Sequence, residues 1–453
     1  MKKLLVANRG EIARRIFRSA AARGIATVAV YSEADATSAH VADADEAIAI
    51  GPASARESYL DAAKVLQAAQ DSGADAIHPG YGFLSESAEF AEAVMAAGLT
   101  WIGPAPDTLR SMGDKARARA LAQAAGVPIV PGSPRFGPDD TVDFLAEAAR
   151  VGFPLLVKAS AGGGGIGMRR VDSAEKLLRT IQDTQSMAGK AFGDATVFLE
   201  RLVPKARHVE IQVFGFGDGT AIHLFERDCS LQRRYQKVIE ESPAPGLPDD
   251  LRARMADAAV ALCRQVSYAG AGTVEFILDT QTQEFFFLEM NTRIQVEHPV
   301  SEMVTGRDLV GMQIDFARGR LQSLDQSEIS STGHAIECRL YAENPAKMFM
   351  PSPGMLQTFV LPSEADGLRV DAGYREGDAV TPYYDPMLAK IIAHGPDRAS
   401  AAQRAVQALN TLQVTGIATN RDFLIACLQS AEFLSGDVHT GFIDANRKSL
   451  VAA

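Results

Sequence analysis

The stretch Phe285-Phe286-Phe287-Leu288-Glu289-Met290-Asn291-Thr292-Arg293-Ile294-Gln295-Val296-Glu297-His298-Pro299 decides how this chain is read. Its first four residues are apolar and predict a buried strand. If the backbone stays extended, side chains alternate between faces. Glu289, Asn291, Arg293, Gln295 and Glu297 then line one face, with Met290, Ile294 and Val296 on the other. Solvated strands also show such polar rows. This row, however, continues a strand that reads as fully buried, and charges leaving a buried strand need partners. The spacing therefore predicts a site, provided the segment stays extended through Glu297.

Working outward, residues 273–278 and 284–289 flank a short loop at 279–283. Pairing Leu278 with Glu284 places Glu275 opposite Phe287 and diagonal to Glu289, on one face and within reach of long side chains. Two carboxylates so placed suit a hard cation such as magnesium, commonly held by carboxylates together with substrate phosphates. A slip of one residue would separate them. Farther upstream, an apolar run at 154–157 ends in Lys158 and leads to Gly162-Gly163-Gly164-Gly165. Glycines let a backbone approach a ligand and aim N–H groups at phosphate oxygens. No Gly-Lys-Ser/Thr follows, so this is not a Walker A loop. Residues 168–171 read as a returning strand, which makes the loop a hairpin flap; the plainer alternative is a linker. Residues 226–237 hold Arg227, Arg233, Arg234 and Lys237 in an otherwise acidic protein. They read equally as a solvated charged loop or an anion pocket.

The length of 453 residues suggests about three domains. A net charge of −11 argues against broad nucleic-acid binding. Cys229, Cys263, Cys338 and Cys427 are far apart, so neither a zinc site nor a disulfide framework is expected. The start has too short an apolar core for a signal peptide, and no apolar run reaches the ~20 residues of a membrane helix. A soluble cytoplasmic protein is expected.

Strands at 4–7, 26–31, 46–50 and 74–78 alternate with helices at 11–23 and 60–72, which predicts a parallel sheet covered by helices. The first turn, Asn8-Arg9-Gly10-Glu11-Ile12-Ala13, lacks the G-x-G-x-x-G dinucleotide fingerprint. Met112-Gly113-Asp114-Lys115 should start a helix running to about Ala125. Past Gly333 the chain becomes mixed and sheet-rich. Residues 334–341 alternate, with Glu337 and Arg339 on one face, and residues 398–412 close the chain as a helix. The expected class is α/β and α+β.

These pieces describe an enzyme acting on a nucleotide phosphate without a P-loop. Arg293 suits bidentate grip of a small oxyanion, and Glu297 lies where it can take that anion's proton.

At these residues the chain resembles biotin carboxylase, an ATP-grasp enzyme, over essentially its full length. The motifs that carry the likeness are Ala7 through Ala13, His78-Pro79-Gly80-Tyr81-Gly82-Phe83-Leu84-Ser85-Glu86, Met112 through Lys115, the glycine flap, Glu226-Arg227-Asp228-Cys229-Ser230, Glu289 through Pro299 and Pro382-Tyr383-Tyr384-Asp385. The resemblance implies a pre-ATP-grasp domain at 1–111, an ATP-grasp domain at 112–332 with a mobile lid near 131–203, and a C-terminal domain at 333–445. It implies activation of bicarbonate by ATP to carboxyphosphate, then carboxylation of biotin. Lys115, Lys158, Gly164, Gly165, Glu200, Arg201, His208, Gln232, Tyr235, Glu275 and Glu289 match ATP positions. Glu275, Glu289 and Asn291 match ligands of magnesium or manganese. Lys237, Arg293, Gln295, Val296 and Glu297 match the bicarbonate pocket, with Glu297 as base. Arg339 and Tyr81 match biotin positions, Arg339 as stabiliser of the biotin enolate.

The family commonly carries His where Tyr235 stands, a basic residue at Ile166 and Lys at Arg201. No biotin-attachment hairpin is recognised. Biotin is therefore expected on a separate carrier protein, with a carboxyltransferase partner, an acetyl-CoA or propionyl-CoA acceptor and a homodimeric state. The competing readings are another carboxylating ATP-grasp ligase and a catalytically silent nucleotide-binding subunit.

Overall fold

The computed structural model describes residues 1–160, 167–192, 194–234 and 236–451. Strands β1 (Lys3–Val6), β2 (Ala26–Tyr31), β3 (Glu46–Ala49), β4 (Ala76–His78) and β5 (Thr100–Trp101) form a parallel sheet in the order β3-β2-β1-β4-β5. Its central strands are mostly apolar because both faces are covered. Leu4 and Val6 pack with Ile12, Ile16 and Phe17 of the helix Gly10–Ala21. Leu5 and Val28 pack with Val65, Ala68 and Phe90 on the opposite face. The helix expected from Met112 is in fact two, Pro106–Gly113 and Lys115–Ala124. Asp114 divides them: its carboxylate accepts from the amides of Ala116 and Arg117, which caps the second helix and leaves Asp114 itself extended.

Pro128–Ala206 and Ile277–Leu288 form a compact unit of their own. In it, β6 (Leu155–Ala159), β7 (Met168–Val171) and β8 (Val197–Arg201) make an antiparallel sheet in the order β7-β6-β8. Phe136, Val157, Val171, Leu177, Ile181 and Leu199 build its core. β6 and β7 are the strands expected on either side of the glycine loop, with Lys158 opposite Met168. At the turn 279–283, the Asp279 amide donates to the Glu284 carbonyl and the Gln283 amide to the Asp279 carbonyl, with Gln283 at φ +59. This bulge departs from the simple pairing of Leu278 with Glu284.

The remaining residues form the larger unit. It holds most of an eight-stranded sheet in the order β13-β12-β9-β10-β11-β14, then Met387–Gly395 and Leu368–Ala372. Here β9 is Ala206–Phe216, β10 Ala221–Arg233, β11 Gln236–Ser242, β12 Ala269–Asp279, β13 Phe285–Asn291 and β14 His334–Tyr341. Of the basic stretch, residues 226–233 lie in β10 and are mostly buried, Arg234 is exposed after it, and Lys237 belongs to β11. The chain also does not close at the helix Arg398–Thr411. Helices Arg421–Gln429, Ala431–Ser435 and Phe442–Val451 follow, and Phe423, Phe433 and Phe442 complete a core with Ile336, Cys338 and Ile391.

Candidate active site

β13 ends at Asn291, and the backbone leaves the extended state before Glu297, which sits at φ −83, ψ 10 as the N-cap of the helix His298–Thr305. The expectation of an extended segment through Glu297 is therefore corrected. The polar residues still converge, because a turn does what alternation was expected to do. Arg293 is held between two amides: Nη2 donates to Asn291 Oδ1 (2.9 Å) and Nη1 to Gln295 Oε1 (2.8 Å). Asn291 Nδ2 and Gln295 Nε2 both donate to Glu275 Oε1, at 2.9 and 3.3 Å. The Val296 carbonyl accepts from the buried Lys390 ammonium at 2.9 Å, which fixes the path of the turn.

Glu297 is fully buried at the end of this turn. Its Oε1 accepts from Lys237 Nζ (2.7 Å) and its Oε2 from Arg339 Nη2 (2.9 Å). Lys237 also donates to Glu210 Oε2 (2.6 Å) and Glu275 Oε1 (2.9 Å). One ammonium from β11 thus gathers carboxylates from β9, β12 and the turn. Burial alone would raise the Glu297 carboxyl, but Lys237 and, against Glu210, Arg339 bring it below the ordinary value. Burial likewise opposes ionisation of Glu275, yet Lys237 and His208 hold it well below the carboxylate range. His208 shows the converse: burial disfavours its charge, but Glu275 outweighs it and the imidazole is raised to about 9.

Glu289 behaves differently. Burial raises its carboxyl, the nearby Glu275 raises it further, and Lys115 acts in the opposite direction. Glu275, Glu289 and Asn291 offer only oxygen donors, and the repulsion between the two carboxylates is what a hard divalent cation relieves. This donor set fits magnesium. His208, Glu210 and Glu275 also bring donor atoms within 4.8 Å of one another. There the protonated imidazole and Lys237 already balance the carboxylates, so that cluster does not suit a cation.

Tyr81, Val296 and Arg339 line a cavity of about 430 Å³, together with Arg9, Tyr383 and Tyr384. The Tyr81 hydroxyl donates to Glu11, and the Arg9 guanidinium lies 4.4 Å from the Tyr384 ring centroid. Gln232 of β10 places its amide nitrogen 2.8 Å from His208 Nδ1. In the smaller unit, Lys158 Nζ donates to Glu200 Oε1 (2.8 Å), and Arg201 pairs with Glu284 (3.1 Å). Gly164, Gly165, Ile166 and Tyr235 lie outside the described residues.

Of the basic stretch, Lys237 reaches the carboxylate cluster. Arg227 is buried against Glu210 (2.6 Å), and Arg233 is paired with Glu343. Sequence reasoning missed Glu210, whose signal was the alternation of His208, Glu210 and Gln212. It also missed Glu86, which accepts from Arg293 Nε at 3.3 Å, and Glu240, an ion-pair partner of Arg339 at 2.6 Å.

Three family descriptions match the chain in order: "Biotin carboxylase, N-terminal domain" over residues 1–109, "Carbamoyl-phosphate synthase L chain, ATP binding domain" over 114–326, and "Biotin carboxylase C-terminal domain" over 337–445. The mitochondrial methylcrotonoyl-CoA carboxylase subunit alpha of Glycine max is 49% identical over 99% of this chain. The chain spans 61% of that relative's length. Biotin carboxylase 1 of Bacillus subtilis (strain 168) is 48% identical, with 98% of each chain covered. Among solved structures, the biotin carboxylase domain dimer of Hydrogenobacter thermophilus 2-oxoglutarate carboxylase, in complex with MgADP, ADP and bicarbonate, superposes with a TM-score of 0.87. It is 42% identical, with 99% of this chain and 98% of that one covered.

Proposed function

The chain belongs to the biotin carboxylase family, and from that membership we propose that it uses ATP and bicarbonate to carboxylate biotin held on a carrier. The observation that carries this reading is Glu297, buried between Lys237 and Arg339 at the end of the Arg293–Gln295 turn. A base, an oxyanion clamp and a cation for a developing enolate then meet in one place.

In this reading Arg293, Gln295, Val296 and Lys237 hold bicarbonate, and Glu297 takes its proton as it attacks the terminal phosphate of ATP. Carboxyphosphate forms and ADP leaves. Decomposition of carboxyphosphate gives carbon dioxide and phosphate. The phosphate takes the ureido N–H proton of biotin, the ureido oxygen gains negative charge facing Arg339, with Tyr81 on the cavity wall, and the nitrogen attacks carbon dioxide to form carboxybiotin. A preorganised cation stabilises charge where it develops, at little reorganisation cost. Glu275, Glu289 and Asn291 would hold magnesium or manganese, which when bound neutralises phosphate charge. Lys115, His208, Gln232 and Tyr235 of the larger unit are proposed as nucleotide contacts, as are Lys158, Gly164, Gly165, Glu200 and Arg201 of the smaller one.

We also propose the division at 1–111, 112–332 and 333–445; the span Pro128–Ala206 of the smaller unit supports a lid near 131–203. The acceptor expectation changes. The relatives reported above include a methylcrotonoyl-CoA carboxylase subunit, and none points to acetyl-CoA or propionyl-CoA. Methylcrotonoyl-CoA, reached through carrier and carboxyltransferase partners, is the acceptor we propose. A homodimer is supported by the dimeric structural neighbour. Among the described residues no helix is long and apolar enough to cross a membrane. The cytoplasmic location expected from the sequence is kept as a proposal, since the relatives include mitochondrial and bacterial proteins.

The test is ATP hydrolysis by the purified protein with magnesium, with and without bicarbonate and free biotin. Stimulation requiring both is expected. Hydrolysis indifferent to them would overturn the reading.

A further inference from the structure

Behind Arg339 lies a pair of acids that the reaction above does not use. Glu240 on β11 and Glu337 on β14 are directly opposite in the antiparallel register, and both are fully buried. Cross-strand neighbours have Cβ atoms about 4.5–5.5 Å apart. Glu240 meets Arg339 as an ion pair at 2.6 Å, yet neither of its oxygens accepts a well-aligned hydrogen bond. Both oxygens of Glu337 are buried and accept none. A buried carboxylate without hydrogen bonds is costly, and two of them side by side are costlier.

We propose that Glu240 and Glu337 form a buried carboxyl pair holding one proton, with Glu337 the neutral member and Glu240 the anion that positions Arg339. This rests on the carboxylase reading for what Arg339 does. The charged and titratable groups that interact electrostatically with the pair, from its own face or through the sheet, are consistent with it. Arg339 and the Cys338 thiol come from β14, Lys237 from β11, Cys229 from β10, Lys390 from the strand Met387–Gly395, and Glu297 from the turn. Burial raises both carboxyls. For Glu240, Arg339 counters it while Glu297 adds to it; for Glu337, Lys390 counters it while Glu240 adds to it. Two like charges so placed do not both ionise, as in paired-carboxyl sites generally.

The consequence concerns how one guanidinium serves two partners. Arg339 Nη2 lies 2.6 Å from Glu240 and 2.9 Å from Glu297. When Glu297 accepts a proton it loses its hold on that guanidinium. The Glu240 anion then keeps Arg339 anchored with its charge free for the substrate oxyanion. Were Glu337 ionised as well, the extra negative charge would blunt the cation where it is needed. Glu240 is therefore a positioning residue acting through Arg339, and Glu337 holds the proton that keeps the pair at a single negative charge.

The test combines infrared spectroscopy of the full-length protein, with isotope-labelled glutamate, and steady-state kinetics. A carboxylic-acid C=O band is expected at neutral pH, and Glu337→Gln should remove it. Because Gln has the shape of the neutral acid, that variant should keep biotin-dependent ATP hydrolysis within about twofold. Glu240→Gln should lower kcat/KM for biotin by roughly tenfold or more, about the effect of losing one charge-assisted contact, with the KM for ATP unchanged. Absence of the band in the parent protein would overturn the proposal. So would equal damage from both variants, or a Glu240→Gln effect on ATP as large as on biotin. If Glu337→Gln does not fold, Glu337→Asp keeps a carboxyl group that can hold the proton and should keep but shift the band; an unmoved band would likewise overturn the assignment. If the parent shows no biotin-dependent hydrolysis, the carboxylase reading fails, while the band still decides whether the pair holds a proton.

Discussion

Arg339 donates to Glu297 across 2.9 Å, so the residue proposed to face the developing enolate is, before any substrate arrives, clamped to the residue proposed as base. The clamp has a chemical exit. In the proposed reaction, protonation of Glu297 by bicarbonate removes one of the two negative charges that hold Arg339 and leaves the guanidinium on Glu240 alone, so proton transfer and loss of the clamp are coupled. Lys237, at 2.7 Å from the other oxygen, loses this charged partner in the same event and keeps Glu210 and Glu275.

Glu297→Ala should reduce bicarbonate- and biotin-dependent ATP hydrolysis by roughly 10²–10⁴-fold, the usual weight of a positioned base. ATP binding, followed by calorimetry, should be largely retained, because Glu297 contacts Lys237 and Arg339 and no proposed nucleotide ligand directly. Loss of ATP affinity in this variant would contradict the role given to it.

Lys237→Met should abolish turnover and lower the melting temperature. It would strip Glu210, Glu275 and Glu297, three buried carboxylates, of the ammonium they share, leaving them their other cations: Arg227, His208 and Arg339 in turn. Removing one partner of a buried ion pair typically costs about 3–5 kcal/mol. Thermal melts over pH should show the deficit shrinking in acid, where these carboxyls protonate. A deficit independent of pH would exclude this origin.

His208 gives a pH dependence of opposite direction. Burial acts against its charge, but Glu275 outweighs burial and raises the imidazole to about 9 in the folded protein. In the unfolded chain a histidine titrates near ~6.5. Because the folded value is the higher, the charged imidazole contributes its full stabilisation below ~6.5, and that contribution is lost as pH rises through about 9. Melting temperatures measured across that window should fall for the parent protein and fall less for His208→Gln.

What the sequence made legible was set by local periodicity. The parallel sheet was readable because its strands are short, mostly apolar runs between amphipathic helices. The polar row was readable too, although its members meet for a different reason: β13 ends at Asn291, and Arg293 is braced between Asn291 and Gln295 through a turn. Partners brought by distant strands left no such trace. Whether Arg227 and Arg233 face solvent or a buried acid depends on Glu210 and on Glu343, the latter 110 residues from Arg233. Glu240 stands out only once the register pairs it with Glu337. The cap at Asp114 is a local signal that was passed over, since Asp followed by helix formers is a common helix start.

Glu289→Gln should raise the magnesium concentration needed for half-maximal ATP hydrolysis while leaving the fold intact. Its carboxyl is raised by burial and then by Glu275, so removing its charge relieves repulsion in the metal-free protein. The melting temperature without magnesium should therefore hold or rise, and the gain on adding magnesium should shrink. A variant destabilised without magnesium would show that Glu289 has a structural partner instead.

Lys390 carries the last prediction because it joins the base's turn to the cavity wall. It is fully buried on the strand Met387–Gly395, donates to the Val296 carbonyl at 2.9 Å and pairs with Glu11 at 3.0 Å. Glu11 in turn accepts from the Tyr81 hydroxyl. Lys390→Met would leave the Glu11 carboxylate without its cation, at a cost of about 3–5 kcal/mol, and would free the carbonyl that shapes the approach to Glu297. The melting temperature should fall. The KM for bicarbonate should rise, with the KM for ATP nearly constant, because Val296 belongs to the proposed bicarbonate pocket and to no proposed nucleotide contact. Equal changes in both KM values would mean that Lys390 supports the fold alone and does not shape the turn for bicarbonate.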